Sequence, residues 1–301
     1  MNTEYISKTF LLPIIALFFF LGVYAGNFLP AKKILVKEPE TKQDENFVIP
    51  VNWGDLGLKM SSVGIIDVKK FEAVYKSRGG ISNETKKLLY SNGNDKITMT
   101  SENAAELLNL FWALGLASKN DVLEKGPMAD PKYGSLGNFA STGGWTLADG
   151  SAMNHYSKHR FFILTADAQQ LVERVSKNIY RPCCDNSTYF PDCNHGMAML
   201  GLLELMASQG ISESEMYRIA LKVNSFWFSD NYQTIAEYLK SNGKDIDKID
   251  PKEILGKNYF SASGFQAIAA EVKTAPASGG GGCGVGGDTV QPQRQQSGCG
   301  I

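Results

Sequence analysis

The chain has 301 residues, 43% of them hydrophobic and 20% charged, which suits one globular body with two polar ends and excludes a fully disordered or multi-span protein. Thirty basic side chains nearly balance thirty-one acidic ones, so no whole-molecule field favours nucleic acid. Five cysteines are too few for a disulfide scaffold. Their odd number leaves one thiol, in an oxidising compartment, unpaired, paired to another chain or bound to metal.

Residues 1–30 read as a signal peptide or membrane anchor. Phe10 to Gly26 carries no charge, and Asn27, Phe28 and Leu29 extend it almost to Pro30, just long enough for a helix to span a bilayer. Lys8 before the run and the small-residue site Val23-Tyr24-Ala25 also fit a cleavable signal. Lys32, Lys33 and Lys37 follow the segment, and the positive-inside rule would hold the body in the cytoplasm. A short apolar run at the extreme N-terminus before a single soluble body argues for export instead, and an extracytoplasmic body tethered to the membrane is the expectation. Residues 31–47, rich in Lys, Glu, Asp and Gln, read as a polar tether.

The body, 48–273, is expected to be all-α, with roughly eight to ten helices and at most a short β-hairpin drawn from Lys96 to Thr100 and the Gly-rich stretch Gly134 to Gly150. Ser101 is placed to cap a helix carrying Leu107, Leu108, Phe111 and Leu114. Thr165 caps the next strong one, with Leu171, Val172, Val175 and Ile179 on one face, and Pro182 forbids its continuation. From near His195 to Gln209 the sequence is apolar all round, the pattern of a central buried helix stopped by Gly210. Ser212 and Glu215 then form a capping box, with Ile211 and Met216 as its hydrophobic staple. Residues 274–301 are Gly-, Ser- and Gln-rich, cannot bury enough apolar surface to fold alone, and read as a disordered tail.

The chemistry of the body gathers at the turn between the last two strong helices. Cys183 and Cys184 follow the first, and Cys193 and His195 open the second. Antiparallel helices joined by so short a loop must bring these ends within side-chain reach. Cys193 also sits where helix N–H groups favour a thiolate. Three thiols and an imidazole are a full set for a copper or zinc ion. Cys-Cys-x8-Cys-x-His is not a standard zinc spacing, and a vicinal pair is sterically awkward as two ligands to one ion, which favours copper. Met197 and Met199 share helix faces with Cys193 and His195 and are candidate extra ligands, though methionine also fills cores routinely. A structural disulfide from Cys183 or Cys184 to Cys193 is the competing interpretation, and a redox-active thiol the third.

His155 and His159 would share a face if helical and point apart if extended; Arg160-Phe-Phe-Ile-Leu beside them has strand character. In the tail, Cys283 and Cys299 each stand inside a Gly-Cys-Gly step and are candidate shuttle thiols, unless they pair with each other. Asn83-Glu-Thr85 and Asn186-Ser-Thr188 are glycosylation sequons, meaningful only in a eukaryotic secretory pathway. The chain has no P-loop, H-E-x-x-H, G-x-S-x-G or Cys-x-x-Cys, and the literal G-x-G-x-x-G at Gly282 lacks a flanking strand and helix.

From about residue 165 to 225 the chain resembles exported bacterial proteins named for a Pro-Cys-Tyr-Cys-Gly-Cys motif. The residues that carry the likeness are Pro182, Cys183, Cys184, Cys193, Gly210, Ser212 and Glu215. Where the motif has Cys-Tyr-Cys-Gly-Cys, this chain has Cys-Cys-Asp-Asn-Ser. The resemblance implies export and a cysteine-centred site, and names no reaction.

These features together set the functional expectation: an exported, membrane-tethered protein that binds a thiophilic metal, copper favoured, for handling rather than turnover. The ligands would be Cys183, Cys184, Cys193 and His195, and the partners the membrane and a metal-donor or thiol protein. The alternatives are a thiol–disulfide protein using hairpin and tail cysteines, or a disulfide-stapled binding module with no metal.

Overall fold

The computed structural model describes residues 46–93 and 96–272, which lie in one unit, Gln43–Ile301. The N-terminal apolar segment, nearly all of the tether, and Cys283 and Cys299 fall outside the described residues. Among the described residues no helix is long and apolar enough to cross a membrane.

The chain is mostly helical. Strand β1 (Phe47–Asn52) leads to α1 (Leu56–Ser62), α2 (Val68–Tyr75) and α3 (Asn83–Tyr90), then β2 (Lys96–Met99). Helices α4 (Ala104–Ala117) and α5 (Asp121–Lys125) are followed by a run of short 3-10 turns up to α6 (Ala166–Ser176). After α7 (Asn194–Ser208) and α8 (Glu213–Trp227) come α9 (Ser229–Ser241), α10 (Pro251–Ile254), α11 (Lys257–Phe260) and α12 (Ala262–Glu271). β1 and β2 pair antiparallel, Phe47 opposite Met99 and Ile49 opposite Ile97, across three intervening helices. The partner of Lys96–Met99 is thus the stretch assigned to the end of the tether and the start of the body. Gly134 to Gly150 forms no strand and folds as successive turns, because Gly134 and Gly150 adopt left-handed φ values that a strand cannot use. Phe161 to Leu164 is likewise not a strand.

The core is built on α4 and α7, each apolar nearly all round and buried along almost its whole length. They cross backbone to backbone at a pair of glycines. A β-carbon on Gly115 would stand 2.2 Å from the Met197 carbonyl, and one on Gly201 2.4 Å from the Phe111 carbonyl. Any side chain there would force the helices apart, at a cost of about 1–3 kcal/mol or more. α6 and α8 pack against α7, α8 also against α4, and α10 against α8.

Local signals explain most of the ends. The Thr165 hydroxyl accepts from the Ala168 N–H as the α6 cap, and Ser212 from the Glu215 N–H as the cap of α8. Gly210, at φ 74°, takes the left-handed turn after α7. Ser101 does not cap α4. The N-cap is Asn103, which makes no side-chain cap bond to the helix; in the turn before it the Thr100 N–H donates to the Asn103 side chain and the Asn103 N–H to the Thr100 hydroxyl. Buried polar groups find distant partners. Glu106 on α4 accepts both the N–H and the hydroxyl of Ser82 at the start of α3. Each of the four tryptophans gives its indole N–H to a carbonyl far away in sequence: Trp53 to Leu88, Trp112 to Ser141, Trp145 to Ile65 and Trp227 to Ala104.

Candidate metal centre

Helix α6 ends at Ser176, and the loop to α7 folds back on it: the Thr188 N–H donates to the Ile179 carbonyl and the Tyr189 N–H to that of Ser176. Residues 181–184 make a tight turn, closed by the Cys184 N–H to the Arg181 carbonyl at 3.2 Å. Pro182 stands second in that turn, where its fixed φ is favoured. The turn is pinned from outside by α12, whose Ala262 N–H donates to the Cys184 carbonyl and whose Ser263 N–H and hydroxyl donate to the Asp185 carboxylate.

The turn also resolves the steric objection to a vicinal pair. Cys183 and Cys184 are its third and fourth residues, and their sulfurs stand 3.9 Å apart instead of diverging as in an extended chain. Cys193, the N-cap of α7, faces both from the other side of the loop. Its sulfur lies 3.6 Å from that of Cys183 and 3.9 Å from that of Cys184. At these separations no two of the three are joined by a disulfide. With metal–sulfur bonds of about 2.3 Å, tetrahedral geometry sets sulfurs about 3.8 Å apart. The three thiols therefore make a triangle of the size that one ion requires, and together they can hold a metal.

Behind this triangle lies Arg181, only 2% exposed. Its Nε donates to the Cys193 sulfur at 2.9 Å, Nη1 to the Asn186 carbonyl at 2.8 Å, and Nη2 to the Phe190 carbonyl at 3.0 Å and to Asp192 Oδ1 at 2.6 Å. Asn186 Nδ2 in turn donates to Asp192 Oδ2 at 2.7 Å. A buried guanidinium is tolerable only when its donors find partners and its charge is opposed; here four N–H contacts are made and the Asp192 carboxylate opposes the charge. Gly196 makes the space, since a β-carbon there would lie 2.7 Å from the guanidinium carbon.

Burial alone would raise the Cys193 thiol. Hydrogen bonds from Cys183 and Cys184 and the charges of Arg181 and His195 carry it well below the ordinary thiol range. Burial would lower the Arg181 guanidinium, but the thiols of Cys193, Cys184 and Cys183 and the Asp192 carboxylate outweigh it and raise it.

His195 is close enough to Cys193 for its charge to be felt, yet it does not join the triangle. The donor group whose ligand atoms all lie within 4.8 Å of one another contains the three thiols and no imidazole. The His195 ring lies against Phe228, with centroids 4.4 Å apart, and near Trp227 at 5.9 Å. Together with Pro182, Cys183 and the first residues of α9, these rings line a cavity of about 390 Å³. Met197 and Met199 are fully buried members of the core cluster. His155 and His159 meet without being helical: Ser157 between them takes a left-handed φ of 50°, and His155 Nδ1 comes to 3.1 Å from His159 Nε2.

Arg181, Asn186, Asp192 and Gly196 belong to the site without a sequence motif that singles them out. One sign was available: a lone arginine beside a cysteine-rich loop whose acids are Asp185 and Asp192. No family model, curated protein or solved structure matches the chain.

Proposed function

We propose that Cys183, Cys184 and Cys193 bind one thiophilic metal ion, copper(I) in preference to zinc, and that the protein handles or delivers the ion without turning over a substrate. The observation that carries this reading is the sulfur triangle, with edges of 3.6, 3.9 and 3.9 Å. An all-sulfur set of three suits soft copper(I), whereas zinc in a structural site takes four ligands. Arg181 supports the set from behind: its N–H on the Cys193 sulfur offsets thiolate charge and fixes that sulfur's position, the outer-layer support that metal sites depend on. Binding releases a proton from each ligand thiol not already ionised. The N-terminal apolar segment would tether the body to a membrane after export, as the likeness to the Pro-Cys-Tyr-Cys-Gly-Cys proteins also implies, and the ion would come from a donor or thiol protein.

Anaerobic copper(I) titration of the full-length chain tests the reading. One tight equivalent is expected, lost in Cys193→Ser and retained in His195→Ala. Unchanged binding in Cys193→Ser overturns it.

A second reading rests on the closest pair. Cys183, partly exposed, lies 3.6 Å from the depressed Cys193 thiol, which suits disulfide exchange. Mass spectrometry before and after mild reduction separates the two, since exchange needs a readily reduced Cys183–Cys193 bridge in the purified protein.

A further inference from the structure

A second set of metal-ligating side chains is fastened to the C-terminal end of α4. His155 is buried and His159 is partly buried. Nδ1 of the first ring faces Nε2 of the second at 3.1 Å, and the two rings are tilted 31° to one another. We propose that this pair is a binding site for one borderline divalent cation, of the copper(II), nickel(II) or zinc class, held by the two imidazoles with water in its other positions. The proposal is independent of the sulfur triangle.

Distance and backbone carry the argument. Imidazole nitrogens bind such ions at about 2.0–2.1 Å, so two nitrogens 3.1 Å apart subtend about 98° at one ion. That angle falls between the square and the tetrahedral arrangements these ions adopt. The chain between the rings is bent to reach it. In an extended segment residues four apart stand about 13 Å from each other. Here Ser157, midway between the histidines, turns back with φ 50°, and among the described residues no other non-glycine has a positive φ. Such a conformation costs about 1–3 kcal/mol and persists only where its surroundings impose it. They do: the Ser157 N–H donates to the Leu116 carbonyl, the Lys158 and His159 N–H groups to that of Ala117, and the His159 carbonyl accepts from the Lys119 N–H. The Ser157 hydroxyl accepts from the Asn120 N–H and donates to Glu124 Oε1. Without an ion, one ring donates a hydrogen bond to the other, so one facing nitrogen carries a proton. To bind, that ring moves its proton through solvent to its other nitrogen, the ion takes the vacated place, and no proton is lost overall.

The chain has three histidines, and the third, His195, stands two residues from Cys193, so the ring Cε1–H signals report where an ion goes. The full-length chain, kept reduced with a phosphine, is titrated with zinc(II) and followed by histidine NMR. The His155 and His159 signals should shift together and saturate with one equivalent, in wild type and in Cys193→Ser alike. His159→Asn should abolish the shift of the remaining His155 signal. If zinc in large excess moves only His195, the facing rings do no more than hydrogen-bond to each other, and this proposal fails while the three-thiol reading stands. A His155 shift that survives His159→Asn unchanged overturns it as well.

Discussion

Helix α7 carries two buried charged environments that are handled in opposite ways. At its N-terminus Arg181 is enclosed, yet its guanidinium meets a sulfur, two carbonyls and a carboxylate. Ten residues beyond Asn194, about 15 Å along the helix, Glu204 is fully buried, and neither carboxylate oxygen finds a well-formed hydrogen bond. Burial pushes the Glu204 carboxyl well above the usual carboxylate range, with Ser118 and Asn120 drawing it part of the way back. The first group is held charged by the groups around it; at the second, burial shifts the balance toward the protonated carboxyl. The difference is one of partners: the groups around the guanidinium oppose its charge, and those around the carboxyl do not.

The largest effect that would break this contrast is at the guanidinium. Arg181→Met strands Asp192 and Cys193 in the interior, and urea unfolding should show a loss of about 3–5 kcal/mol. A residual loss below about 1 kcal/mol would mean that the shell is not what fixes the loop. Gly196→Ala presses a methyl onto the same guanidinium and should cost about 1–3 kcal/mol, read from the denaturation midpoint.

Titration sharpens the comparison, because the two ends should slope in opposite directions. The depressed Cys193 thiol adds stability that is complete above the ordinary thiol value of about 8.5 and is lost as pH falls through its lowered folded value. The stability gap between metal-free wild type and Cys193→Ser should therefore widen as pH rises toward that point. Glu204 behaves inversely: its raised carboxyl makes the folded state the better proton binder, so stability declines as pH climbs from about 4.3 toward the raised folded value. Glu204→Gln should therefore gain on wild type with rising pH, by on the order of 1 kcal/mol at neutrality. Parallel profiles for the two variants would remove the distinction. The smallest effect is expected for Asn186→Ala, which deletes one bond to Asp192 and should cost about 0.5–1.5 kcal/mol.

Much of this contrast lay beyond what a sequence discloses. The helices around the site were legible because periodicity, Thr165, Gly210 and Ser212 are local signals. The convergence of Cys183, Cys184 and Cys193 was legible from their place between two helices, although α6 ends at Ser176 and it is the 181–184 turn and the folded-back loop that bring them together. Arg181 was not legible, since an arginine reads as surface until its partners are known, and those partners are mostly backbone carbonyls that no residue type announces. The β1–β2 pairing was missed because it joins segments separated by three helices. The surroundings of His195 were hidden for a related reason: proximity in sequence to Cys193 said nothing of Phe228 and Trp227, against which its ring packs.

Trp227 gives the molecule an optical consequence. Its indole N–H is tied to the Ala104 carbonyl at the start of α4, while its ring edges the cavity beside Cys183. A quencher arriving in that cavity should dim this fluorophore more than the other three, none of which lines it. In a variant whose other indoles are replaced by phenylalanine, emission intensity becomes a direct, label-free count of how often the chamber is filled.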